Sequence, residues 1–125
     1  MKYLVALVLA LSSTLSFSHE MTPAYPKVKA SFINDVDLVS VTLFNRRADV
    51  QFYEVGAFDA DWNPIPFVSQ YKIYKVEYLH KVDVDIYLTS VDSKKVKYVC
   101  SRSKLIKTNE QATLVSSRIC SRVVR

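Results

Sequence analysis

The chain has 125 residues, half of them hydrophobic, with 17 Lys/Arg against 12 Asp/Glu, two Cys and a single Gly. That length holds one domain with a single core and is too short for two. There is no Gly-rich phosphate-cradling loop, no G-x-S-x-G nucleophile elbow and no Cys paired with a general base, which argues against an enzyme.

The opening stretch MKYLVALVLALSSTLSFS has Lys2, an apolar run from Tyr3 to Leu11 and small residues at Ser16 and Ser18, the pattern of a secretory signal peptide. The run is far shorter than the roughly 20 residues of a membrane-spanning helix, so no transmembrane segment is expected. The reading is a secreted or periplasmic protein with signal peptide 1–18, one domain over 19–125 and a new N-terminus at His19. No Cys follows the cleavage point, which argues against a lipid anchor there. Charge is unevenly placed: His19 to Ser93 holds seven Lys/Arg and eleven Asp/Glu, whereas Lys94 to Arg125 holds nine against Glu110 alone.

Beyond His19, Pro23 and Pro26 favour extended backbone over helix. An edge strand is expected from Val28. The next strand, Val36 to Phe44, buries Val39, Val41 and Leu43. Turn chemistry over Asn45 to Asp49 then leads to a strand from Val50 to Phe58, and the pair reads as a central hairpin with Glu54 and Gly56 facing outward or at a bulge. Pro64 and Pro66 break the pattern at the corner DADWNPIP, where Trp62 is expected to lid the end of the core. Ile73, Val76 and Leu79 lie in a further extended segment. Val82, Val84, Ile86 and Leu88 alternate with Asp83, Asp85, Tyr87 and Thr89, a period-two pattern with an acidic outer face. Lys95 to Ile106 and Ala112 to Val123 read as the last two strands, joined by a polar loop. With one Gly in the chain, the turns must use Asn, Asp and Pro. About seven short antiparallel strands predict an all-β, two-sheet, immunoglobulin-like sandwich.

The run LFNRRADVQFYEVGAFDADWNPIPF followed by IYKVEYLHKVDVDIYL resembles the N-terminal immunoglobulin-like domain of periplasmic pilus chaperones, in which an Asn ends one strand and a polar turn follows. The resemblance implies the sandwich fold. The second domain and the basic cleft pair of those chaperones have no counterpart here, so it does not carry chaperone activity. With YVCSRSKL and SSRICSR, the same block is similar to small exported proteins of marine tailed phages.

In an exported protein Cys100 and Cys120 are expected to form one structural disulfide. If they face each other across two antiparallel strands, facing residue numbers sum to 220 and the turn centres on Glu110, where the polar loop lies. That register puts Tyr98, Cys100, Arg102 and Lys104 on one face with Ser116, Arg118, Cys120 and Arg122. Val99, Leu105, Val115, Ile119 and Val123 fall on the core face. Arg102 then stands opposite Arg118, a repulsion that an anion between them would relieve. Tyr98, Arg102, Lys104, Arg118 and Arg122 are therefore the candidate anion-binding residues; the competing reading is a solvated basic face.

A mature N-terminal His19 could hold copper through its amine and ring if His80 converged on it, the histidine-brace arrangement of small periplasmic copper carriers. Asp59, Asp61 and Asn63 open like a calcium loop, but Pro64 and Gln70 break the pattern, so a turn capped by its own carboxylate is the better reading. The expected function is a non-enzymatic binding module without a cofactor, its partner an acidic protein or an anionic membrane or envelope surface. Self-association is also open, and export disfavours nucleic acid. A periplasmic copper-binding protein and a pilus-chaperone-like protein, which would need an exposed hydrophobic edge strand, are the alternatives.

Overall fold

A computed structural model describes residues 18–104 and 116–125 of the chain. Most of the expected leader, Leu105, the loop around Glu110 and Val115 lie outside the described residues. Two antiparallel sheets make up the described fold. In the first, β3 (Val36–Phe44) pairs along one edge with β6 (Lys81–Thr89) and along the other with β1 (Glu20–Thr22) and β2 (Lys29–Ala30). The second has the order β5 (Ile73–Lys75), β4 (Phe52–Phe58), β7 (Tyr98–Lys104), β8 (Arg118–Arg122). One helical turn, α1 (Ser90–Ser93), links β6 to β7 and is capped by Thr89 Oγ1, which accepts from the Asp92 N–H.

Period-two patterning explains which face of each strand is buried. Val39, Val41 and Leu43 of β3 and Val84, Ile86 and Leu88 of β6 point inward and meet Tyr53, Val55 and Ala57 of β4 and Val99 of β7 in a single core. On the outer face of the first sheet, register sets Ser40 against Asp85 and Thr42 against Asp83, and each hydroxyl donates to the facing carboxylate, at 2.6 and 2.8 Å. The described chain is thus an all-β sandwich with one acidic outer face. The described residues form eight strands rather than about seven, because the Pro-punctuated arm after His19 supplies the extra short strand β1.

The expected central hairpin does not form. β3 and β4 belong to different sheets, and the chain crosses the sandwich between Asn45 and Gln51. Each strand has a longer partner elsewhere: β3 matches β6 over nine residue pairs and β4 matches β7 over seven. The crossing segment also has no residue at positive φ, which the tight hairpin turns require. Trp62 is likewise not a lid on the core; it is 47% exposed. The scarcity of Gly has the consequence that left-handed turn positions fall on Asp35, Trp62 and Leu79, with φ of 61°, 64° and 61°. For Asp this is ordinary, whereas Trp and Leu occupy that region at a cost of order 1 kcal/mol or more.

Asn45, fully buried, holds the crossing in place. Its Nδ2 donates to the carbonyls of Val50 and Val76 at 2.7 and 2.8 Å, and its Oδ1 accepts from the Arg47 N–H at 2.8 Å and the Tyr53 hydroxyl at 2.5 Å. Every donor and acceptor of the carboxamide is used. Asn45→Ala leaves two backbone carbonyls, one N–H and one phenol unpaired in the interior and should cost about 3 kcal/mol or more. Chemical denaturation of the two proteins measures this; a loss below 1 kcal/mol would mean that water replaces the carboxamide.

Candidate functional site

The β7–β8 pairing follows the register expected from the cysteines: Tyr98 faces Arg122, Cys100 faces Cys120 and Arg102 faces Arg118. Cys100 and Cys120 are disulfide-bonded. The Ser103 N–H donates to the Ser117 carbonyl at 2.9 Å, so the odd-numbered β7 residues lie in hydrogen-bonded pairs. The even-numbered pairs are then the non-hydrogen-bonded ones, in which facing Cα atoms approach to about 4.5 Å and side chains lie closest. Arg102 and Arg118 occupy such a pair, on the outer face of the second sheet.

Their two charges are accommodated differently. Arg118 lies across aromatic rings, its Cζ 4.8 Å from the Phe58 centroid and 5.0 Å from that of Trp62, with Nη2 3.7 Å from Cys100 Sγ. Arg102 has Glu54 beside it on β4. Glu54 itself binds Lys104, Oε2 to Nζ at 2.7 Å, and this bond, aided by the charges of Lys104, Lys72 and Arg102, holds its carboxyl below the usual carboxylate range. Among the described residues Arg102, Arg118 and Arg122 form no ion pair.

The aromatic wall depends on two local features. Gly56 faces Cys100 in the register, and a Cβ there would come 2.9 Å from Phe58 Cε2, so the missing side chain lets the Phe58 ring lie back over β4. The turn after β4 is tied by Asp59. Its Oδ1 accepts from the N–H groups of Asp61 and Asn63, both at 2.9 Å, and Oδ2 accepts from Asn63 Nδ2 at 3.2 Å. The Asn63 N–H is the main cause that Asp59 titrates below the ordinary range. This is a self-capped turn, its carboxylate committed to the chain. It throws Trp62 into the left-handed conformation and onto Tyr98, where the rings stack at 4.2 Å and 1°. Glu54, Gly56, Phe58, Trp62, Arg102 and Arg118 line a cavity of about 230 Å³ with Cys100 in its wall.

Of the five residues marked by the sequence, Arg102 and Arg118 face each other, while Tyr98, beyond the disulfide pair, meets Arg118 only through Trp62, which both of them cover. Lys104 is committed to Glu54. Arg122 is separated from Arg118 by the disulfide pair and lines a different cavity, with Lys94, Lys95 and Lys97. Sequence patterning missed Trp62 and Phe58 as parts of this face, although the D-x-D-W-N turn and the single Gly two residues before Phe58 were the signals for them.

The two histidines do not converge. His19 is 2% exposed and points between the sheets, Nε2 2.8 Å from Ser101 Oγ and Nδ1 3.0 Å from Ser117 Oγ, with its ring 4.5 Å from that of Tyr53. His80 is exposed and its Nδ1 meets the Tyr78 carbonyl at 3.0 Å. Both His19 nitrogens are occupied by hydroxyls, so the copper-brace reading fails on geometry. No group of three metal-ligating side chains occurs among the described residues.

No protein-family model matches the chain, and no curated protein is significantly similar to it.

Two outcomes are expected. Burial, reinforced by the Arg47 charge and opposed by hydrogen bonding at Ser101, lowers His19 to about 4 from 6.5. The unfolded state therefore binds the proton first. The contribution is complete above pH 6.5 and falls by about 3 kcal/mol as pH drops to 4. Denaturation midpoints between pH 7 and 4 should show this loss, and His19→Gln should flatten it; parallel profiles would contradict the assignment. Separately, Asp59→Ala releases the Trp62 turn. Since Trp62 is the only Trp in the chain, its emission should shift to the red while the far-ultraviolet circular dichroism stays unchanged.

Proposed function

We propose that this is an exported, non-enzymatic binding module that takes an anionic group of a protein or envelope surface on the outer face of the β5-β4-β7-β8 sheet. The observation that carries the reading is the Arg102–Arg118 pair, two cations in the closest cross-strand position, walled by Phe58 and Trp62. A carboxylate or phosphate seated between them would relieve their repulsion and take up the planar fork of each guanidinium. Stacking fixes Arg118 in advance, which lowers the entropy lost on binding. Trp62, held in a left-handed conformation and half exposed, is an observed outlier of the kind that clusters at ligand clamps.

An immunoglobulin-like assignment is supported by two features. The chain passes between the sheets after β3, returns after β5 and crosses again after β6, and the sheet orders resemble the two halves of that sandwich. Export is supported by the leader pattern in the sequence. The acid at Asp83 and Asp85 lies on the opposite outer face, so a second copy of the chain is one acidic partner of suitable charge.

Titration with polyglutamate and with vesicles of phosphatidylcholine containing phosphatidylglycerol, at low salt, tests the proposal through Trp62 emission. Saturable quenching should occur, weaken as salt rises, and be about tenfold weaker in Arg102→Gln/Arg118→Gln. Sedimentation that depends on concentration and is lost in Asp83→Asn/Asp85→Asn would identify the partner as a second copy. Indifference of Trp62 to both ligands at low salt would overturn the anion-binding assignment.

A further inference from the structure

The basic block at the C-terminal end of the chain divides in the fold, and its larger share does not lie on the Arg102–Arg118 face. Lys94, Lys95, Lys97, Arg122 and Arg125 surround a cavity of about 590 Å³ at the end of the sandwich where α1 leads into β7. That volume falls within the roughly 300–1,000 Å³ of small-molecule sites. Its floor is apolar: Val96 and Val123 belong to the core, and Tyr25, 64% exposed, also lines it.

Backbone hydrogen bonds among four segments frame the cavity. Lys97 donates to the Phe58 carbonyl at 2.8 Å, Val123 to Lys97 at 2.9 Å, Arg122 to Ala24 at 2.9 Å and Val124 to Pro26 at 2.9 Å. The Arg125 guanidinium donates to the Ser93 carbonyl and so ties the end of the chain to α1. No side-chain carboxylate lines the cavity, and none of the five cations forms an ion pair among the described residues. The acid nearest in sequence, Asp92, lines the apolar cavity beside Phe32 and Leu88 instead.

We infer that this cavity is a second anion site, built for a compact group bearing at least two phosphates on an apolar or ring body, such as a phosphorylated sugar or lipid headgroup. The charge count selects the class. A phosphate monoester carries about −1.5 to −2 near pH 7, so two of them match most of the five cations, whereas carboxylates would have to be four or five in number. Lysines dominate the rim, and they bind phosphate as point charges without demanding one bidentate geometry. Tyr25 and the valines offer the flat apolar contact that a ring or headgroup needs and inorganic phosphate alone does not use. The site is separate from the Arg102–Arg118 pair and stands or falls independently of it.

Isothermal titration calorimetry of the full chain with fructose bisphosphate, and flotation with vesicles of phosphatidylcholine containing phosphatidylinositol bisphosphate, test the inference. The first probe presents a soluble phosphorylated sugar and the second a membrane headgroup, so the arm that binds identifies the source. Binding should have unit stoichiometry and weaken about tenfold or more in Lys95→Gln/Lys97→Gln/Arg122→Gln, whose exposed or half-buried side chains leave the core intact. Arg102→Gln/Arg118→Gln should leave it unchanged. Failure of both probes to bind, equal binding by the triple variant, or equal weakening by the Arg102/Arg118 variant would overturn the inference. An unchanged denaturation midpoint in the triple variant separates lost binding from lost folding.

Discussion

A single buried carboxamide holds the two sheets in their relation to each other. Asn45 follows β3, and its four hydrogen bonds reach the crossing segment at Arg47 and Val50, the β5–β6 connection at Val76 and the start of β4 at Tyr53. An apolar residue of the same size would fill the space and leave these groups unpaired, which is costlier in the interior than the carboxamide itself. The strand that departs from Asn45 is thereby sent to the opposite sheet, and every later element takes its place from that crossing.

The same end of the sandwich contains an extended polar network. His19 bridges Ser101 of β7 and Ser117, and Arg47 pairs with Asp49 at 2.7 Å while also reaching Ser117 at 3.3 Å. Burial pushes the Tyr53 phenol up to about 12, which keeps it a neutral donor to Asn45 at all ordinary pH values. Neutral His19 suits this setting, since one ring nitrogen donates and the other accepts. The residue that the sequence offered as a metal ligand is thus part of the polar network between the two sheets.

Charge is sorted by element, not by chain segment alone. Acid gathers on β6, where Ser40 and Thr42 satisfy it; arginines with aromatic neighbours occupy the β7–β8 face; and most of the terminal lysines collect around the end of the sandwich. Each group is backed by rigid backbone: the disulfide row under Arg118, and the interlocked segments 24–28, 94–97 and 122–125 under the basic cavity. Such support favours binding by preorganised surfaces over binding by loops.

Much of this was legible in the chain itself. Alternation in β3 and β6 marked their buried faces, and the spacing of Cys100 and Cys120 about a polar loop set the register of the last hairpin, because side-chain period and pairing geometry are local properties. Local rules could not say that β3 and β4 would part company, since the choice of partner depends on strands far away in sequence. They also could not bring Trp62 onto Tyr98, Glu54 onto Lys104 or Lys95 and Arg122 around one cavity, because these contacts join segments that only sheet packing brings together. By itself, then, the sequence determined the all-β class, the faces of its long strands and the disulfide. Which cations are neutralised, which are stacked and which stay open to a ligand was decided by the tertiary structure, because charge compensation depends on distance in space and not along the chain.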